Sequence, residues 1–562
     1  MRTRFAAGRY VLALALTVAG THVSVFAQVA QPPATQSKAP ADNVKRLTVD
    51  DAVKLALEHN LGVQIARVDP QLQDLLIAQA RANWTPAFNT TVLGSSFETP
   101  TNSFLSGGQG PSISDARVAS NVGVQQLLPW GGNYSVGWDS QRSTTTNIFT
   151  NFSPQLRSSL ALSFTQPLLR NFKIDSIRQQ LLVSQKTREI SDVDLRQTIA
   201  TTTRAVRNAY WDLAYAIGSL QVQQQSLGLA RESLRNNRAR VEIGTMAPID
   251  IVEAEAEVAQ RQESVILAEA QIDRMQDTLR ALIYDPSMPD FWTVRLEPAE
   301  LPSFEPVMVD AEAAVRAALD RRTDLQQARK TLESNDISIR FFRNQTLPDI
   351  SARVDYGLTG LGGTQFLRGA GFPGPVVGQL QRGFGSVLGD LFSNNFPNWT
   401  MQLNVNYPIG TSTYEVSLAR ARLQHTQGQT QLKNQQLQVA TQVRDVTRQV
   451  QTNQKRVEAT RASRQLAERR LDAEEKKFQA GMSTSFLVFQ AQRDLSQARA
   501  NELRAVVDYN HSIVDYETVQ EAPLTGVGAG GVTTINAGAG VTTTGVPTST
   551  TAAATQQQSQ QR

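Results

Sequence analysis

From Leu168 to Ile243 the chain runs without a proline and with only Gly218 and Gly228, in a composition led by Ala, Gln, Arg, Leu and Glu. That combination predicts one uninterrupted helix, because proline breaks helices and these five residues lose little by entering one. A second stretch, from about Thr413 to Ala480, reads the same way. At 1.5 Å per residue, about 70 residues make a rod on the order of 100 Å long. No compact globule houses such a rod, so the fold must be elongated.

The two rods belong to a tandem duplication. Ala52-Val53-Lys54 with Ala56-Leu57-Glu58 returns as Ala314-Val315-Arg316 with Ala318-Leu319-Asp320, and at the same offset of 262 Pro86 meets Pro348. Further on, Val206-Arg207-Asn208 matches Val443-Arg444-Asp445, and Gly244 matches Gly481, at an offset of 237. The drop in offset places extra residues in the first half between Pro86 and Pro167, as an inserted loop or hairpin. Each half reads short helix, strands, long helix, turn, short helix; in the first half the short helices are expected over roughly 48 to 84 and 248 to 284.

After Gly244, positions 251, 254, 258, 261, 265, 268, 272, 275, 279 and 282 follow an alternating three-four spacing that only Arg261 breaks. This is a coiled-coil seam, and the small Ala491, Ala498 and Ala505 of its repeat allow close helix approach. A soluble coiled coil without a pore explains this part equally well.

The strands argue for a membrane. Ile350, Ala352, Val354, Tyr356 and Leu358 alternate with polar residues or glycine, as do Met401, Leu403, Val405 and Tyr407. Leu160, Leu162 and Phe164 repeat the pattern, and Phe88, Thr90 and Val92 do so weakly. Each half thus has at least two strands of about ten residues, the length that crosses a bilayer in a barrel, with one face for lipid and one for water. Four strands cannot close a barrel, so several subunits must share one. Residues 117–142 carry a hairpin signal around Pro129-Trp130-Gly131-Gly132, expected to extend the barrel outward as against adding strands to it. Residues 359–397 are expected to form an outer loop with one short helix.

Residues 1–27 hold Arg2, Arg4 and Arg9, an apolar run from Tyr10 to Ala19, and Val25-Phe26-Ala27 before Gln28, the order of a cleaved secretory signal. The formal charge of +4 falls to about +1 once those arginines leave, so nucleic-acid binding has no electrostatic support. Cysteine is absent, excluding disulfides, thiolate metal sites and a lipidated cysteine. His59, His425 and His511 show no metal-ligand spacing. Gly526-x-Gly528-x-x-Gly531 spells a dinucleotide fingerprint but lies in a Gly, Thr, Ala and Gln tail with no following helix pattern. No catalytic residue, metal site or cofactor is expected.

The duplication, the strand-ending Gln166-Pro167-Leu168 and Tyr407-Pro408-Ile409, and the glycine turns resemble the outer-membrane efflux protein family whose archetype is TolC, over about Arg46 to Gln520. The implied fold is mainly α with a membrane β-barrel: tandem-duplicated long α-helical hairpins forming a periplasmic α-barrel, topped by a trimeric 12-stranded β-barrel. The implied organisation is a signal peptide over 1–27, a linker over 28–45, a first repeat over 46–285, a linker over 286–307, a second repeat over 308–520 and a disordered tail over 521–562. The resemblance implies a homotrimer in outer-membrane lipid, extending into the periplasm. It would be a passive exit duct of a tripartite efflux pump or type I secretion system, working with a periplasmic adaptor (membrane fusion) protein and an inner-membrane pump, and not an enzyme. The alternative is a non-pore periplasmic coiled-coil protein.

The family narrows its tunnel at the hairpin turns, which would also dock the adaptor: here Gly244, Thr245 and Met246, and Gly481, Met482 and Ser483. An aspartate six residues after the first turn glycine helps hold the family's entrance shut; Asp250 stands there, followed by Glu253 and Glu257. A ring of such carboxylates would attract cations. Equally, Asp250 suits a helix N-terminus after Pro248. Where the archetype carries further acids after the second turn, this chain has Leu487 and Gln490, flanked by Phe486 and Phe489, so an apolar narrowing is an alternative.

Overall fold

A computed structural model describes residues 44–108, 110–288 and 291–524. The signal peptide, the glycine fingerprint and most of the tail lie outside the described residues. In the first half, β1 (Val44–Leu47), α1 (Val49–His59) and α2 (Leu61–Ala82) lead into four strands, β2 (Ala87–Pro100), β3 (Ser112–Leu127), β4 (Asn133–Thr145) and β5 (Phe152–Pro167). The long α3 (Ser176–Glu242) and the shorter α4 (Ile249–Ile283) complete it. After β6 (Arg295–Pro298) the second half repeats the order: α5 (Ala311–Arg321), α6 (Thr323–Gln345), β7 (Asp349–Arg368), β8 (Val376–Arg382), α7 (Phe384–Phe392), β9 (Pro397–Asn406), α8 (Thr413–Gln479) and α9 (Ser485–Val519).

The duplication is exact in the rods: α3 and α8 are both 67 residues, and α4 and α9 both 35. The helix expected over 48 to 84 is instead two, broken at Asn60. Its backbone N–H closes α1 on the Ala56 carbonyl, its Oδ1 accepts from the Val63 N–H to start α2, and its Nδ2 donates to the Leu282 carbonyl at 3.0 Å. The break recurs between α5 and α6 at Arg322, 262 residues on, with the same extended backbone. The seam is confirmed by packing: Ala254, Val265 and Leu279 of α4 are buried, as are Ala491, Ala498 and Ala505 of α9.

Helix α3 packs on α2 and α6, and α8 on α6, so the layer next to the sheet runs α2, α3, α6, α8. Toward the far end α4 and α9 replace α2 and α6 against the same two rods. Between these levels the linker between the repeats is anchored rather than loose. β6 pairs with β1 in parallel, and the buried Tyr210 hydroxyl donates to the Leu47 carbonyl (3.1 Å) and accepts from the Glu300 N–H (3.0 Å). Tyr509 does the same farther along, donating to the Glu305 carbonyl (2.8 Å) and accepting from the Val307 N–H (3.0 Å).

The sheet corrects the expectation for residues 117–142. Its order is β2-β3-β4-β5-β7, with β9 on the free side of β7 near the helices and β8 on that side farther out. β3 and β4 pair along their length with β2 and β5 respectively and with each other, so the hairpin adds two strands to the sheet instead of extending it outward. Its turn lies at the helix end: Gln126 Nε2 donates to the Trp84 carbonyl at 2.7 Å. Gly131, at φ +94°, comes so close to the Asn171 carbonyl that a side chain would collide. Residues 359–397 are only in part the expected outer loop: they hold the end of β7, the strand β8 paired to it, and one short helix, α7, whose Val387 packs over Gly360 and Gly362 of β7.

Candidate functional site

The free end of the helix layer is built from two equivalent turns. At the end of α3 the Gly244 N–H donates to Val241 and the Thr245 N–H to Arg240, both at 2.9 Å; at the end of α8 Gly481 donates to Phe478 and Met482 to Lys477. Both are Schellman caps, which require a left-handed residue after the helix, and both glycines sit at φ +77°. The caps leave Gly244, Thr245, Gly481 and Met482 exposed and Met246 and Ser483 half-buried, so both predicted docking turns are accessible in one chain.

Asp250 lies in the first turn of α4 without capping it: Pro248 is the N-cap and no side-chain cap bond forms. Its carboxylate instead accepts from the Ser485 hydroxyl at 2.9 Å, joining the start of α4 to the start of α9. Glu253, Leu487 and Gln490 are exposed and are not gathered around Asp250 by any hydrogen bond or ion pair among the described residues. Phe486 is exposed, whereas Phe489 is buried in the cleft between α3, α8 and α9.

Glu257 is not a free carboxylate. It is buried and bonded to Arg261 Nε (2.8 Å), with Arg493 Nε of α9 at 3.8 Å from its other oxygen. Arg261, the residue that interrupts the seam, is therefore the counter-charge of Glu257. The signal was available in the sequence, since the two stand four residues apart on one helix face.

The cleft beside the tip holds Glu475, whose carboxyl is pushed above its ordinary range by burial, reinforced by repulsion from Asp472 and Glu232. Arg240 lies over the Phe478 ring, 4.4 Å from its centre, linking the two turns. No cluster of metal-ligating residues occurs among the described residues, and no helix there is long and apolar enough to cross a membrane.

The sequence profile described as "Outer membrane efflux protein" matches residues 131–283 and 314–513. No curated protein matches the chain. Among solved structures, the fold is similar to the CmeC outer membrane channel of Campylobacter jejuni (TM-score 0.59, 14% identity, covering 84% of this chain and 85% of that one). It is also similar to the open state of the MtrE outer membrane channel of Neisseria gonorrhoeae (TM-score 0.57, 17% identity, 85% and 89%) and to the outer membrane protein VceC of Vibrio cholerae (TM-score 0.56, 15% identity, 85% and 96%).

Proposed function

The chain belongs to the outer membrane efflux protein family, whose members are channels of the outer membrane reaching into the periplasm, and from that premise we propose that three copies form one passive exit duct. The duct takes cargo that a periplasmic adaptor and an inner-membrane pump deliver to its helical tip.

The observation that carries this reading is that both layers stop at the same two open edges. On one flank β2 is an edge strand with its outer side free and α2 exposes Leu61, Ile65, Val68, Leu72 and Leu75; on the other the outer side of β9 is free and α8 exposes Val416, Leu423 and Leu437. Different edges on the two flanks call for head-to-tail association, which closes into a ring. Lipid enforces closure of the sheet, because an open edge there leaves backbone groups unsatisfied. Strand directions agree: β2 runs away from the helices and β9 back toward them, so β9 of one copy meets β2 of the next antiparallel. Three copies also give the helix layer twelve members, a tunnel of rods on the order of 100 Å.

The test is the mass of the detergent-purified oligomer, measured together with conductance in a planar bilayer. Trimers that conduct support the duct. A monomer that stays in solution without detergent and does not conduct rejects it in favour of a periplasmic coiled coil.

A further inference from the structure

Nearest the helices the extra hairpin of the first half is patterned like barrel wall, with Val122, Val124, Tyr134, Val136 and Trp138 on one face; farther out the same face carries Ser120, Ser140 and Arg142. Register aligns Phe88, Val124, Val136, Leu162, Tyr356 and Trp399 in one row across six strands. The adjoining row, on the opposite face, is Ala87, Gln125, Ser135, Ser163, Asp355 and Thr400. Each row passes through β3 and β4 without a change of character. A hairpin standing in water beyond the membrane has no reason to keep an apolar face in register with the strands on both sides of it.

Two side-chain hydrogen bonds fit this division of faces. On the polar face Asn121 Nδ2 donates to Asp139 Oδ1 at 2.6 Å, joining β3 to β4. On the apolar face the Trp138 indole N–H is satisfied by the buried Ser158 hydroxyl at 2.8 Å, as a polar atom facing lipid must be. The turn from Leu128 to Gly132 sits at the junction with α3, so β3 and β4 cover the full height between the helices and the outer loops.

We propose that β3 and β4 are spanning strands of the barrel wall, so that each subunit contributes six and the trimer closes an 18-stranded barrel in place of the 12 strands that four per subunit would give. This rests on the trimeric duct above. An even number of strands per copy preserves the antiparallel joint between β9 and β2. Barrel diameter grows roughly linearly with strand number, so the outer mouth is about 1.5 times as wide. The larger barrel still fits its base. Eighteen strands about 4.8 Å apart and tilted about 40° span a circumference of roughly 110 Å, and twelve helices about 9 Å apart span a similar length. The duct then admits bulkier cargo at its exit, while the narrow tip continues to limit flow.

In the duct proposed above the tip limits conductance, which therefore does not report the mouth, so the test is the accessibility of the hairpin. The chain has no cysteine, and single cysteines are introduced as Val124→Cys, Val136→Cys, Gln125→Cys and Ser135→Cys in full-length protein reconstituted in phosphatidylcholine vesicles. Gln125→Cys and Ser135→Cys should react with a charged, membrane-impermeant maleimide on the order of tenfold faster or more than the other two. A fluorophore at Val124→Cys or Val136→Cys should be quenched by lipids brominated on the acyl chain. Equal reactivity at all four positions, or no quenching on the apolar face, would overturn the proposal. The oligomer mass of every variant and the conductance of the parent chain are read first, so failure of the duct is seen separately from failure of the wall strands.

Discussion

The Ser485 hydroxyl, at the first residue of α9, donates to Asp250 Oδ1 in the first turn of α4 across 2.9 Å, and this bond ties together the beginnings of the two repeats' returning helices. A hydrogen bond to a carboxylate contributes roughly 1.5–3 kcal/mol. If the tip is a gate held by this bond, Asp250→Ala and Ser485→Ala both raise open probability in single-channel recordings. Only Asp250→Ala also lowers cation preference, since Ser485→Ala leaves the charge in place. If neither variant changes the trace, the constriction belongs to the exposed Leu487 and its neighbours.

Glu257 and Arg261 form a nearly buried ion pair on the seam of α4, with Arg493 of α9 nearby. Glu257→Ala leaves the Arg261 guanidinium without its closest counter-charge and should cost about 3 kcal/mol. Replacing both, as Glu257→Leu with Arg261→Leu, should cost far less, because the position then carries the apolar residue the seam calls for. Chemical unfolding of the single and double variants gives the coupling. Additive losses would show that the pair does not act as a unit.

Glu475 supplies a pH dependence whose sign follows from its surroundings. Burial, with Asp472 and Glu232 nearby, raises its carboxyl in the folded chain. Its favourable contribution is therefore complete below the ordinary glutamate value of about 4.3 and is lost as pH rises through the higher folded value. Hydrogen-exchange protection at the end of α8, corrected for intrinsic rate, should fall over that rise, and Glu475→Gln should flatten the profile. An unchanged profile in the variant would assign the effect elsewhere.

Tyr210→Phe removes one hydroxyl and strands two backbone groups, the Leu47 carbonyl and the Glu300 N–H. The expected loss is about 1–3 kcal/mol, felt locally as faster proteolysis of the segment between the repeats. Tyr509→Phe should expose the Glu305 end of that segment in the same way. Cleavage rates equal to the parent's in both variants would mean that β6 pairing alone secures it.

The duplication, the two rods, their glycine turns and the alternating strands were legible in the sequence alone because each is a local or self-referring pattern. Helix formers without proline specify α3 and α8 wherever they are placed, and a period of two marks β5, β7 and β9. The breaks at Asn60 and Arg322 are not legible there because each adds only one extended residue to an otherwise helical run. What only the tertiary structure decided was pairing. Alternation in residues 117–142 identifies a hairpin but not its neighbours, which lie in β2 and β5 and are chosen by register across the sheet. Arg261 breaks the seam in sequence and completes an ion pair in space, and the linker between the repeats becomes β6 because β1 and Tyr210, far away along the chain, supply its partners. Local propensity is written residue by residue, whereas the partner of an edge, a charge or a backbone group is fixed by which distant segments the fold brings alongside.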